Sequence, residues 1–140
     1  MNNYMSLRIK AVPQNESFAR SAVGAFCVHN NPTLEIINDI RTAVSEAVTN
    51  SIVHGYGKVE GDVLINAEIV GDVITIKVID YGRGIVDVDM ATNDFYTTKP
   101  EEERSGLGFT IMKTFMDTLV VESVVGAGTS VTMTKRLTNA

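Results

Sequence analysis

Several residue types that build sites without a fold are scarce here. The 140 residues include a single cysteine, three prolines and no tryptophan. One cysteine excludes an internal disulfide and any CxxC metal or redox site. Flanked by Phe26 and Val28, Cys27 is expected to be a buried, inert thiol. No apolar run approaches the ~20 residues that cross a bilayer. The start, Met1-Asn2-Asn3-Tyr4, lacks the charged and apolar regions of a signal peptide, so no membrane association is expected and the expected location is the cytoplasm. Basic residues are outnumbered, 12 Lys and Arg against 17 Asp and Glu, for a net charge of −5. That balance disfavours direct nucleic-acid binding, which needs a basic face to release counterions from phosphates. Repeats and low-complexity tracts are absent too. What remains is the composition of an ordinary soluble globule, 44% hydrophobic and 21% charged. Residues 1–140 are expected to form one domain, long enough to bury about two thirds of the unfolded chain's surface.

The organising stretch is 36–55, where the buried-stripe positions recur at Ile36, Ile37, Ile40, Ala43, Val44, Ala47, Val48 and Ser51-Ile52 with the spacing of a helix that buries one side. Thr33 is its expected N-cap and Gly55-Tyr56-Gly57 its expected end. Glu46, Asn50 and His54 follow at four-residue steps, so each is turned only about 40° from the last and the three line one ridge. Such a ridge can be a solvated face. It can also divide labour: a carboxamide oxygen is a hard ligand for Mg²⁺, and a carboxylate one turn away can take a proton from a hydroxyl attacking a phosphoryl group.

Before this helix, residues 4–12 alternate as a strand with Met5, Leu7, Ile9 and Ala11 on one side. Residues 15–29 then suit a helix, with Asn15 as N-cap and Phe18, Ala22, Ala25, Phe26 and His29 on its buried side. Arg20 is expected to point away from that side, either as a solubilising charge or as a partner contact, since Arg is a common interface anchor. After the long helix, 62–69 and 73–79 form an antiparallel pair across Val70-Gly71-Asp72. Ile74, Ile76 and Val78 give the second strand a strongly apolar face.

That strand closes on Asp80-Tyr81-Gly82-Arg83-Gly84. A buried Asp is costly unless hydrogen bonded, and Gly82 and Gly84 let the chain turn where a side chain would meet a ligand. The motif can be a plain turn, or an acceptor in an apolar slot suited to the exocyclic amine of adenine. From 86 to 105 the periodicity disappears, a length of loop that is usually functional and often a lid. Thr97, Thr98, Lys99 and Arg104 could reach phosphates from it, or could simply be solvated. Ser105-Gly106-Leu107-Gly108 then opens a helix to about Asp117, with Leu107, Ile111, Met112 and Phe115 on its apolar side and Met116 expected in the core. The free N–H groups at its start suit a triphosphate. The tail forms a last hairpin, 119–125 and 129–136 across Gly126-Ala127-Gly128. The Thr129 hydroxyl either satisfies that turn or meets Asp80 from the adjacent strand.

Four boxes in order, Glu46-Ala47-Val48-Thr49-Asn50, Asp80-Tyr81-Gly82-Arg83-Gly84-Ile85, Ser105-Gly106-Leu107-Gly108-Phe109 and Gly126-Ala127-Gly128-Thr129, cover nearly the whole chain. This ordered set resembles the GHKL ATPase superfamily. Within it, the stretches 45–56 and 106–112 are similar to the anti-sigma-factor serine kinases of sporulation. The resemblance implies the Bergerat ATP-binding fold: an α+β two-layer sandwich, its mostly antiparallel mixed sheet covered on one face by about three helices, with an ATP lid over about 86–105. It implies ATP and Mg²⁺ as cofactors, Glu46 as catalytic base and Asn50 as the Mg²⁺ ligand. ATP contacts are implied for Asn50, His54, Asp80, Gly82, Gly84, Arg104, Ser105, Gly106, Leu107, Gly108, Phe109 and Thr129. It further implies a homodimer that holds a sporulation sigma factor, sigma F, inactive and phosphorylates a serine on an anti-anti-sigma protein. Such a switch requires two competing partners, and their shared docking surface is expected on the first helix around Arg20.

Three other readings start from the same boxes. A histidine kinase needs a phosphoacceptor His on a separate dimerisation hairpin, whereas His29 and His54 sit inside elements already assigned and these residues leave no room for that hairpin. A gyrase-type motor needs a transducer domain. An ATP-gated binding module without phosphotransfer would keep the glycine boxes and have no use for Glu46.

Overall fold

The structure, a computed structural model, describes residues 2–92 and 107–138. Five strands form one sheet: β1 (Asn3–Lys10), β2 (Asp62–Val70), β3 (Val73–Asp80), β4 (Thr118–Val124) and β5 (Gly128–Arg136). The spatial order is β1-β2-β3-β5-β4, and every pairing is antiparallel. Among the described residues the sheet is therefore purely antiparallel rather than mixed. Period-two alternation decides which face each strand buries. Val63, Ile65, Ala67 and Ile69 of β2, Ile74, Ile76 and Val78 of β3, and Val131 and Met133 of β5 are buried, while Glu68, Val73 and Lys77 between them are exposed.

The covering layer is built from α1 (Gln14–Cys27), α2 (Leu34–Asn50) and α4 (Gly108–Phe115), with α2 packed against both of the others. The stripe expected for α2 is its core face: Ile36, Ile40, Ala43, Val44, Ala47 and Val48 are all buried. Its start is capped by Thr33, whose hydroxyl oxygen accepts from Ile36 N–H at 3.2 Å. Met112 and Met116 lie in the core, as does Cys27, whose thiol burial pushes up to about 11.

Three expectations are corrected. The buried face of α1 is Ala19, Val23, Gly24 and Cys27, while Phe18, Ala25 and His29 are exposed. Close approach to α2 selects small residues over large ones here. A Cβ at Gly24 would lie 3.0 Å from Arg41 Cδ, so the Arg41 stem occupies that space. The start of α1 is set by Pro13 at the capping position, and the Asn15 amide instead donates to Lys10 O at 2.9 Å. In the segment expected to be irregular, Val88–Ala91 forms a one-turn helix, α3, capped by Asp87 Oδ1 accepting from Met90 N–H at 3.0 Å. Of the lid expected over about 86–105, residues 93 onward lie outside the described residues.

The feature that shapes the site is the end of α2. From Ser51 to Tyr56 the chain continues as a π-helical turn, closed by Gly57 N–H on Ile52 O at 3.0 Å, and Gly57 then leaves with φ 62°. Its i→i+5 bonding is rare and occurs mostly as single turns within α-helices.

Candidate nucleotide site

Asp80 is the last residue of β3, the middle strand, with Val63 on one side and Thr129 on the other. It is 2% exposed, so its charge must be met by donors. Its Oδ1 accepts from Gly82 N–H at 3.0 Å, and the carboxylate also accepts from the Ser51 hydroxyl and the Thr129 backbone N–H. Burial pushes the Asp80 pKa up from the ordinary carboxylate value, and these three donors oppose the rise.

Close backbone approach explains the glycines. A Cβ at Gly55 would lie 2.9 Å from Asp80 Cγ, and one at Gly82 would lie 2.1 Å from Gly55 O. One at Gly128 would lie 2.1 Å from Asp80 O. The π turn, the end of β3 and the start of β5 therefore touch through backbone. Arg83 fastens the contact, with N–H donating to Gly55 O at 2.9 Å and Nε to His54 O at 2.6 Å. Gly84, at φ 78°, turns the chain under the β4–β5 hairpin, where Gly126 N–H donates to Arg83 O at 2.8 Å.

The pairing of Asp80 with Thr129 is present in the sheet register, yet the two roles weighed for the threonine separate. Its N–H serves Asp80, and its hydroxyl hydrogen-bonds the Ser123 hydroxyl at 2.8 Å. Ser123 also accepts from Ile85 N–H at 2.7 Å, so it ties the glycine loop to β4.

Asn50, 8% exposed, and half-buried Glu46 sit on successive turns of α2, as their spacing requires. His54 lies in the π turn instead. There each residue rotates through a smaller angle than in an α-helix, so its four-residue step from Asn50 does not repeat the step from Glu46 to Asn50. Leu107 occupies the capping position of α4, and Gly108 and Phe109 are buried in its first turn. Arg104, Ser105 and Gly106 lie outside the described residues. Arg20 does not project away from the helices. It lies beside Ser45 of α2 with Nη1 3.5 Å from the hydroxyl, pairs with Glu16 at 3.8 Å, and has a buried Nε with no hydrogen-bond partner among the described residues.

Sequence reasoning passed over Ser51, Gly55, Tyr56 and Ser123 as site-building residues. For Ser51 and Gly55 the available signal was their position one turn and two turns beyond Ala47 on a face already assigned to the core. Among the described residues no group of three or more His, Cys, Asp or Glu could hold a metal ion. An Mg²⁺ held near Asn50 would take most of its ligands from phosphates and water, the usual pattern for that ion.

Residues 9–135 match the family described as histidine kinase-like ATPase domain. The anti-sigma F factor of Thermoanaerobacter sp. (strain X514) is 56% identical over 133 residues, covering 95% of this chain and 93% of that one. The chain belongs to the anti-sigma F factor family of histidine kinase-like ATPases. Other family members give the same picture. The anti-sigma F factor of Caldanaerobacter subterraneus is 55% identical and that of Clostridium beijerinckii 51%, each across 96% of this chain and 94% and 95% of their own lengths. The fold of the family recurs in the RsbU and RsbW domains of a Mycobacterium tuberculosis protein, at a TM-score of 0.70 and 21% identity over 96% of this chain and 32% of that one.

Proposed function

We propose that the protein is an ATP-dependent anti-sigma kinase. It binds and inhibits a sporulation sigma factor, sigma F, and phosphorylates a serine of an anti-anti-sigma protein, working as a cytoplasmic homodimer. The observation that carries the nucleotide half of this reading is the buried Asp80 carboxylate, ringed by backbone donors and by glycines that a Cβ would fill. A carboxylate so held accepts from an exocyclic amine and repels a carbonyl, which favours adenine over guanine. The regulatory half is supported by the names of relatives that match along nearly the whole chain.

Bound ATP supplies the phosphoryl group, and Mg²⁺ neutralises its charge during transfer. The protein's part is positioning and proton handling. Asn50 offers a carboxamide oxygen to the metal, and Glu46, one turn earlier, takes the proton of the attacking serine hydroxyl. Gly82 and Gly84 shape the base end with Asp80 and Thr129, while His54 and the 104–109 segment, with Leu107, Gly108 and Phe109 at the start of α4, serve the phosphate end. The transferred phosphate brings nearly two negative charges to the antagonist. On a chain of net charge −5 that change favours release, so the kinase step would decide which of two partners stays bound.

The test uses labelled ATP, Mg²⁺ and candidate antagonist proteins with the wild type and Glu46→Gln. Label should appear on a serine of one antagonist and vanish in the variant, with nucleotide binding retained. Equal transfer by Glu46→Gln would remove the base assignment, and retained binding without transfer by the wild type would leave a nucleotide-gated binding module.

A further inference from the structure

The π turn does more than end a helix. In an α-helix residues five apart are turned about 140° from one another, so Ser51 and Tyr56 would face different neighbours. The i→i+5 bonding of the π turn widens each turn to between four and five residues, which brings the two side chains closer in direction, and both reach the end of β3. Ser51 is 1% exposed and gives its hydroxyl to the Asp80 carboxylate. Tyr56 donates its hydroxyl to Asp62 O at 2.5 Å and accepts from the N–H of Tyr81, the residue after Asp80, at 2.8 Å. The Tyr56 ring lies over Gly61, where a Cβ would come within 2.2 Å of Cε1. The ring is thus fixed between the start of β2 and the end of β3.

An ionised carboxylate has about four acceptor positions. Gly82 N–H, Thr129 N–H and the Ser51 hydroxyl take three of them. The direction in which the carboxylate presents a further acceptor position depends on these donors being in place. We propose that Ser51 and Tyr56 are positioning residues for base recognition: Ser51 holds the carboxylate of Asp80, and Tyr56 holds the backbone beside it, so that one acceptor position faces a 6-amino purine. This rests on the reading of the slot as an adenine site.

The test compares ATP with inosine triphosphate, which has a 6-oxo group in place of the 6-amino group. Affinities are measured by competition against a fluorescent ATP analogue for the wild type, Asp80→Asn, Ser51→Ala and Tyr56→Phe, alongside thermal unfolding. Removing a hydrogen bond to a charged acceptor should weaken ATP binding about tenfold in Ser51→Ala, with inosine triphosphate nearly unaffected, so the preference collapses. Tyr56→Phe should lower the preference in the same direction by a smaller factor. A purely structural role would weaken both nucleotides together. An unchanged ATP preference in the folded variants overturns the proposal. If Ser51→Ala does not fold, Tyr56→Phe alone decides it by the same ratio. Should the wild type show no ATP preference, or Asp80→Asn keep it, the adenine reading itself fails, an outcome distinct from failure at Ser51 and Tyr56.

Discussion

At Asp80 two requirements conflict, because the slot that suits an amine also removes the carboxylate from water. Burial raises its pKa, and Gly82, Ser51 and Thr129 offset only part of the cost. Between the ordinary value of 3.8 and the raised folded value, the native protein keeps a proton that the unfolded chain has released. The contribution of this group to stability is therefore fully present below the ordinary value and is lost as pH rises through the folded one. Asp80→Asn cannot titrate. Without nucleotide, its urea midpoint should gain on that of the wild type as pH is raised from about 4 to about 7, while its ATP affinity falls. A difference in midpoints that stays flat with pH would contradict the raised pKa. The acidic residue and its glycines were legible in the sequence. The donors that tame it were not, since Ser51 and Thr129 lie 29 and 49 positions away in the chain and meet Asp80 across the helix–sheet contact and across the β3–β5 pairing, respectively.

Among the elements, α2 carries most of the site, and its two ends are made differently. The start depends on a local capping bond from Thr33, so Thr33→Ala should cost about 1 kcal/mol in urea unfolding without altering nucleotide preference. Loss well below that would mean the cap is replaced by water. The far end depends on tertiary contacts: the π turn is held where Arg83, Asp80 and Tyr81 bond to His54, Gly55, Ser51 and Tyr56. Strands and the core stripe of α2 could be read because period two and period 3.6 are set along the chain. The face of α1 could not. Hydrophobicity favours burying Phe18, whereas the narrow seam with α2 accepts only Ala19, Val23, Gly24 and Cys27.

Across the whole molecule, α1, α2 and α4 form the layer that covers one face of the sheet. No helix among the described residues is long and apolar enough to cross a membrane. Arg20 lies at the seam of α1 and α2, half-buried, bonded to Glu16 and beside Ser45, the residue preceding Glu46. It therefore stands next to the helix that carries Glu46, where the proposed docking surface shared by sigma factor and antagonist would lie. Arg20→Glu should lower capture of both partners about tenfold or more, the scale of one lost interface anchor, with ATP affinity unchanged. Quantitative pull-down beside nucleotide titration checks this, and full capture by the variant would remove Arg20 from the surface. Because the reversal also sets a second carboxylate against Glu16, unfolding must be followed in the same samples.

The sequence alone determined the strands, the long helix, the ordered glycine boxes and the single-turn spacing of Glu46 and Asn50, since all of these depend on near neighbours in the chain. Only the tertiary structure decided the winding of Ser51–Tyr56, the partners of Asp80, the side that α1 buries and the place of Arg20. Each of those is a contact between segments far apart in sequence, where available space and unpaired donors outweigh local preference.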